Sequence, residues 1–169
     1  MSHRPVIDGF EFAESGSTLK GEWLIKEFTR LRDALFDDSG VIEYELRGVR
    51  DARGRGRLRL AIRGSLQLVC QRCLERMVYA LHVDRELVLA KSQEEIDAAS
   101  LDEGSPDWLL ASKEMSVGAL IEDELLIELP IAPRHDRCAA RSGKSAAASD
   151  SANPFSTLRG MLEGSKAKH

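Results

Sequence analysis

Apolar residues at Leu24, Phe28, Leu31 and Leu35 recur at helical spacing. The pattern predicts an amphipathic helix over residues 18–36, with Ser17 or Thr18 as its cap. From Val41 the period changes to two. Ile42, Tyr44 and Leu46 alternate with Glu43, Glu45 and Arg47, as in a strand with one wet face. Leu58, Leu60 and Ile62 repeat the pattern against Arg57, Arg59 and Arg63, and residues 50–56, with Gly54 and Gly56, supply a hairpin turn between the two strands. A further turn is expected at Gly64-Ser65, leading to Leu66, Leu68 and Cys70. The next extended run sets Tyr79, Leu81, Val83, Leu87 and Leu89 on one face. Consecutive short strands predict an antiparallel meander.

Residues 92–111 hold six acidic residues and no basic one, broken by Gly104-Ser105-Pro106, which reads as a solvated insertion loop with one short helix. Ser116 opens a helix with Val117, Leu120, Ile121, Leu125 and Leu129 on its apolar side, and Pro130 enforces the stop. Residues 133–138 are too short and broken for regular structure. Residues 139–152 are rich in Ala and Ser and read as a flexible linker, and Asn153-Pro154 starts a short helix through Leu162. The expected fold class is therefore α+β, with an antiparallel meander sheet packed by an N-terminal helix and a later amphipathic helix, and a flexible C-terminal tail. The domain occupies residues 1–138, the linker 139–152 and the tail segment 153–169.

A chain of 169 residues suffices for one ordinary core, and 43% apolar with 31% charged residues is the balance of a globular protein. Net charge is −4, so bulk electrostatics do not announce a nucleic-acid binder and such a role must rest on local clustering. One cluster exists. Arg47, Arg50, Arg53, Arg55, Arg57, Arg59 and Arg63 fall within seventeen residues, interrupted by a single acid, Asp51. Guanidinium forks match phosphate oxygens, so the hairpin is a candidate contact for an RNA backbone, its turn end expected to be unpaired. The competing reading is a solvated sheet face with cross-strand salt pairs, favoured by the lack of aromatic residues in the stretch. The longest apolar runs are too short to cross a bilayer and the N-terminus has no charged segment followed by an apolar one, which points to the cytoplasm.

Three cysteines, an odd number, do not suit a secreted disulfide framework and suggest reduced thiols. In Cys70-Gln71-Arg72-Cys73 two thiolates three positions apart at a strand turn can face one metal ion, and His135 with Cys138 offers a second pair. Together they form a candidate tetrahedral zinc set, provided the later loop folds back on the hairpin end. In the alternative reading the cysteines are small hydrophobes and His135 a surface residue. A redox role fits less well, because strands flank the motif where a helix start is required. Glu122-Asp123-Glu124 and Glu128 fan around a helix and read as a solvated face without catalysis. No phosphate loop, zinc-protease or nucleophile-elbow signature is present, so no enzymatic activity and no small-molecule substrate are expected.

The order of three features resembles the YceD family, named for large ribosomal RNA subunit accumulation: Cys70-Gln71-Arg72-Cys73; the run from Leu120 to Pro130 continuing into Pro133-Arg134-His135; and Asn153-Pro154-Phe155. The resemblance implies a bacterial, non-enzymatic protein needed for normal levels of large-subunit ribosomal RNA. On that basis the arginine hairpin is expected to touch large-subunit or pre-ribosomal RNA, and the acidic segments to engage basic ribosomal proteins. The alternative is a protein-binding adaptor that never contacts RNA and uses residues 155–162 as an amphipathic motif.

Overall fold

The computed structural model describes residues 4–99 and 106–138. In chain order the elements are β1 (Val6–Ile7), α1 (Gly9–Glu14), β2 (Thr18–Leu24), two 3-10 turns (Ile25–Glu27 and Arg32–Ala34), β3 (Leu35–Asp37), β4 (Val41–Arg50), β5 (Gly56–Val69), β6 (Arg76–Ala90), α2 (Gln93–Asp97), β7 (Asp107–Leu110), β8 (Met115–Ser116) and α3 (Val117–Glu128). The main sheet has the order β2-β4-β5-β6-β7, with β3 joined to β5, and β1 pairs separately with β8. Every pairing is antiparallel except β6 with β7, which is parallel. The mixed α+β class and the antiparallel-rich sheet match the sequence reading. Residues up to Asp136 make one compact unit, and the linker and tail assigned to 139–152 and 153–169 lie outside the described residues.

The centre is the three-strand meander β4-β5-β6. Alternate side chains along each strand, among them Ile42, Leu46, Leu58, Leu60, Ile62, Leu66, Leu81 and Val83, are fully or almost fully buried on one face. The opposite face carries the charges. Arg47 lies across from Arg59, Glu45 from Ala61 and Glu43 from Arg63, a register that sets Glu86 and His82 against Arg59 and Arg63 on the next strand. Gly48 is needed here because α1 crosses close to β4: a Cβ at this position would sit 2.1 Å from the Phe12 carbonyl oxygen.

Three expectations about the elements are corrected. The helix expected over residues 18–36 is a strand followed by two 3-10 turns and the start of β3, because Thr18, Lys20 and Glu22 alternate with Leu19, Gly21 and Trp23 and pair with β4 from Val41 to Arg47. The N-terminal helix is instead the six-residue α1, capped by the Asp8 carboxylate accepting from the Phe10 and Glu11 N–H groups. No turn interrupts the chain at Gly64-Ser65, since β5 runs through both positions with partners on β6. The acidic stretch holds the expected short helix, α2, but it also returns to the sheet as β7, with Trp108 beside Val88.

The helix expected from Ser116 is present, its Ser116 hydroxyl accepting from the Ala119 N–H and its last residue before Pro130 turned to extended backbone. Its acids are not all solvated. Glu122 and Glu124 are buried, at 8% and 7% exposure. Glu122 accepts from the Arg30 and Leu31 N–H groups and pairs with the Arg30 side chain, while Glu124 and Glu128 hold Arg85 of β6. Burial raises the Glu124 carboxyl above its usual range despite the nearby Arg85. These acids bind the helix to the rest of the fold.

Candidate metal centre and candidate nucleic-acid interface

The chain leaves β5 at Val69 and enters β6 at Arg76, and the connection is a tight cysteine knuckle. The Cys70 N–H donates to the Glu75 carbonyl at 3.0 Å and the Leu74 N–H to the Cys70 carbonyl at 2.8 Å. Closing so small a loop places Leu74 at φ +63°, a left-handed conformation that is unfavourable for a branched side chain. The later loop docks here through the Gln71 N–H donating to the Pro133 carbonyl at 2.8 Å. That bond, together with the contact of His135 with the Arg76 carbonyl, holds the histidine at the cysteines.

His135 Nε2 lies 3.1 Å from the Arg76 carbonyl, which can only accept, so in the neutral ring this nitrogen donates and the lone pair falls on Nδ1, 3.4 Å from Cys73 Sγ. One ligand atom each from Cys70, Cys73, His135 and Cys138 lies within 4.8 Å of the others. A tetrahedral zinc with Zn–S near 2.3 Å and Zn–N near 2.0 Å separates its ligand atoms by about 3.6 to 3.8 Å, so the set fits such an ion. The imidazole held by a backbone carbonyl is also the usual support for a ligating histidine. Cys70 is fully buried. Burial opposes its ionisation, yet the backbone N–H groups of Cys73, His135 and Arg72 and the Cys73 side chain together bring its thiol down from 9.0 to about 5. All four residues named from the sequence as metal ligands are therefore brought together.

The arginines lie at the other end of the same strands. Gly54, at φ +76°, closes the hairpin turn, and the Asp51 carboxylate accepts from the Arg53 and Arg55 N–H groups. Asp51 also holds the Arg55 and Arg57 guanidiniums at 3.0 and 2.9 Å. Glu86 of β6 pairs with Arg57 and, at 2.8 Å, with Arg59. The result is an alternating chain, Arg55–Asp51–Arg57–Glu86–Arg59. The side-chain hydrogen bond from Arg57 and the backbone N–H of Arg55 hold the Asp51 carboxyl well below its usual range, and Arg57 and Arg59 lower Glu86.

The turn end, expected to be unpaired, is thus largely paired. Asp51 and Glu86 turn inward to the guanidiniums because each has two within reach, and Arg50 finds Glu14 of α1. Arg47 and Arg53 are exposed and have no ion pair among the described residues. Arg63 bonds to the Ile62 and Val83 carbonyls. Six guanidiniums, from Arg47 to Arg59, face three carboxylates, Glu14, Asp51 and Glu86, so positive charge remains in excess. Sequence reasoning missed one neighbour of this cluster. Trp108, on β7, has the Arg55 guanidinium over its ring at 5.7 Å from the centroid.

Among the described residues no helix is long and apolar enough to cross a membrane. Neither the curated proteins nor the solved structures yield a match. A family model described as "Large ribosomal RNA subunit accumulation protein YceD" matches residues 58–161, a span that includes the knuckle, the buried acids of α3 and His135. With more than half of its length inside that match, the chain belongs to the YceD family.

Proposed function

We propose that this protein is a non-catalytic factor for the accumulation of large-subunit ribosomal RNA, which holds RNA phosphates through the β4–β5 hairpin. The family description ties the chain to that RNA. The observation that carries the contact is the excess of six guanidiniums on the β4–β5 hairpin over the three carboxylates that pair with them, Asp51 in the turn, Glu14 of α1 and Glu86 of β6, in a chain whose net charge is −4. Arg47 and Arg53 are exposed and open to phosphate oxygens, and Arg55, Arg57 and Arg59 exchange their solvent-facing carboxylate partners for phosphate. In this reading zinc bound by Cys70, Cys73, His135 and Cys138 is structural, because four protein ligands leave no open coordination position for a substrate. The ion would supply cohesion between the knuckle and the loop of His135, and the chain acts in the cytoplasm on pre-ribosomal particles, with basic ribosomal proteins as further partners of its acidic segments.

A salt-titrated binding assay with large-subunit ribosomal RNA tests the contact. The double variant Arg47→Ser, Arg53→Ser should bind at least about tenfold more weakly and flatten the log–log salt slope by about 2. Unchanged affinity and slope would remove the hairpin from the account. The adaptor reading rests on residues 155–162, which lie outside the described residues.

A further inference from the structure

We propose that Trp108 and Arg55 form a stacking platform for one unpaired RNA base, so that the hairpin selects single-stranded over duplex RNA. This rests on the hairpin being an RNA contact. The arginine stretch, residues 47–63, holds no aromatic residue, and the fold supplies one more than fifty residues downstream of Arg55. In the sheet register Arg57 lies opposite Val88 and Val88 opposite Trp108, which puts the indole on the same face as the arginine chain. Trp108 is half-buried, with the Arg55 guanidinium 5.7 Å from its ring centroid. On the Arg55 side of the pair is an open hollow of about 480 Å³ lined by Asp51, Ala52, Arg53, Arg55, Arg57 and Pro106, so that a base lying in it meets the guanidinium that the indole backs.

Three properties of this corner match a nucleotide. The hollow is large enough for a base and its sugar. The Arg55 guanidinium, backed by the indole, is a flat group on which any base can stack, whatever its identity, and such a base extends the Arg55–Trp108 stack. Arg53, free of any ion pair among the described residues, lines the same hollow and is placed for the adjoining phosphate. A duplex keeps its bases stacked on each other and cannot extend the Arg55–Trp108 pair, although it still meets the arginines. Selectivity between the two forms of RNA therefore belongs to Trp108, and bulk affinity to the guanidiniums.

The chain has two tryptophans, and the other, Trp23, is buried at 7% exposure with its indole N–H bonded to Glu27 at 2.9 Å. Emission quenching by RNA therefore reports on Trp108. The test uses the full-length protein with two probes, a short oligouridylate and a fully paired RNA duplex of equal length. The oligouridylate should quench the wild-type emission. Trp108→Phe should retain binding to it and lose the quench, and Trp108→Ala should weaken oligouridylate binding by about tenfold or more with little change for the duplex. Equal affinity of the Ala variant and the wild type for oligouridylate, or a quench that persists in the Phe variant, overturns the platform while leaving the hairpin contact intact. Loss of both probes to the same extent in Trp108→Ala also overturns it, since the indole would then only pin β7 to the hairpin. Binding of neither probe by the wild-type protein defeats the hairpin reading as well.

Discussion

The two ends of β5 and β6 are ordered by different physics. At the hairpin end, long charged side chains are held by carboxylates in contact with solvent, each pair contributing little and being weakened by salt. At the knuckle end, short soft ligands converge, two of them buried, in a loop whose backbone is bent to suit them. The difference is between a surface that can exchange its partners and a clamp that cannot. On the proposed function, guanidiniums bound to Asp51 and Glu86 would turn to phosphate at small cost, whereas the knuckle would lose its coherence if one ligand were removed.

The largest expected effect tests that contrast. Cys73→Ser should abolish stoichiometric zinc and cost about 3 kcal/mol or more of stability, because structural zinc contributes directly to folding free energy. Metal analysis together with thermal melting reads both, and a variant that melts like the wild type would make the cysteines ordinary hydrophobes. Leu74→Gly should act in the opposite direction, gaining about 1 kcal/mol as the left-handed backbone at φ +63° is relieved. Denaturant unfolding at fixed metal occupancy measures it.

Smaller effects belong to the hairpin. Glu86→Gln should change stability by no more than about 1 kcal/mol, yet it releases Arg57 and Arg59 and should tighten RNA binding a few-fold and steepen the salt slope. A weaker complex would show that Glu86 aims the arginines instead of competing with the RNA. The pH dependence follows from the lowered carboxyls of Asp51 and Glu86. A depressed folded-state pKa gives stability that is complete above the unfolded value, near pH 4, and is lost as pH falls through the folded values. The stability difference between wild type and Glu86→Gln should accordingly stay constant from about pH 8 to pH 5 and fade below about pH 4. Zinc, which competes with protons for thiolates, should be released at a higher pH than that.

Strand β4 and the first half of β5 were legible because charged and apolar residues alternate there, whereas Gly64-Ser65 breaks the pattern and hid the continuation of β5. The segment before β4 was not legible, since its buried residues, Ile25, Phe28 and Leu31, fall at three-residue spacing that a helix and a 3-10 turn share. The ligand types of the metal centre could be read from two short motifs. Their meeting depends on long-range hydrogen bonds, Gln71 N–H to the Pro133 carbonyl and His135 to the Arg76 carbonyl, which no local pattern encodes. The arginine cluster was visible by count, but its state of pairing was set by Glu86, distant in sequence and adjacent only in register. Glu122 and Glu124 read as solvent-facing for the same reason, their partners Arg30 and Arg85 lying far upstream. Trp108 gave no signal at all, because a four-residue parallel strand in an acidic stretch has too few positions to show a period.

The reach of Glu122 to the backbone of Arg30 and Leu31 also sets an order of events during synthesis. Those two amides wait for a carboxylate encoded about ninety codons later, so the early turns cannot lock while the nascent chain is still short of α3. A ribosome stalled before residue 122 would display strands without their latch, and proteolytic sensitivity of such arrested chains at the segment around Arg30 should vanish once the helix has emerged.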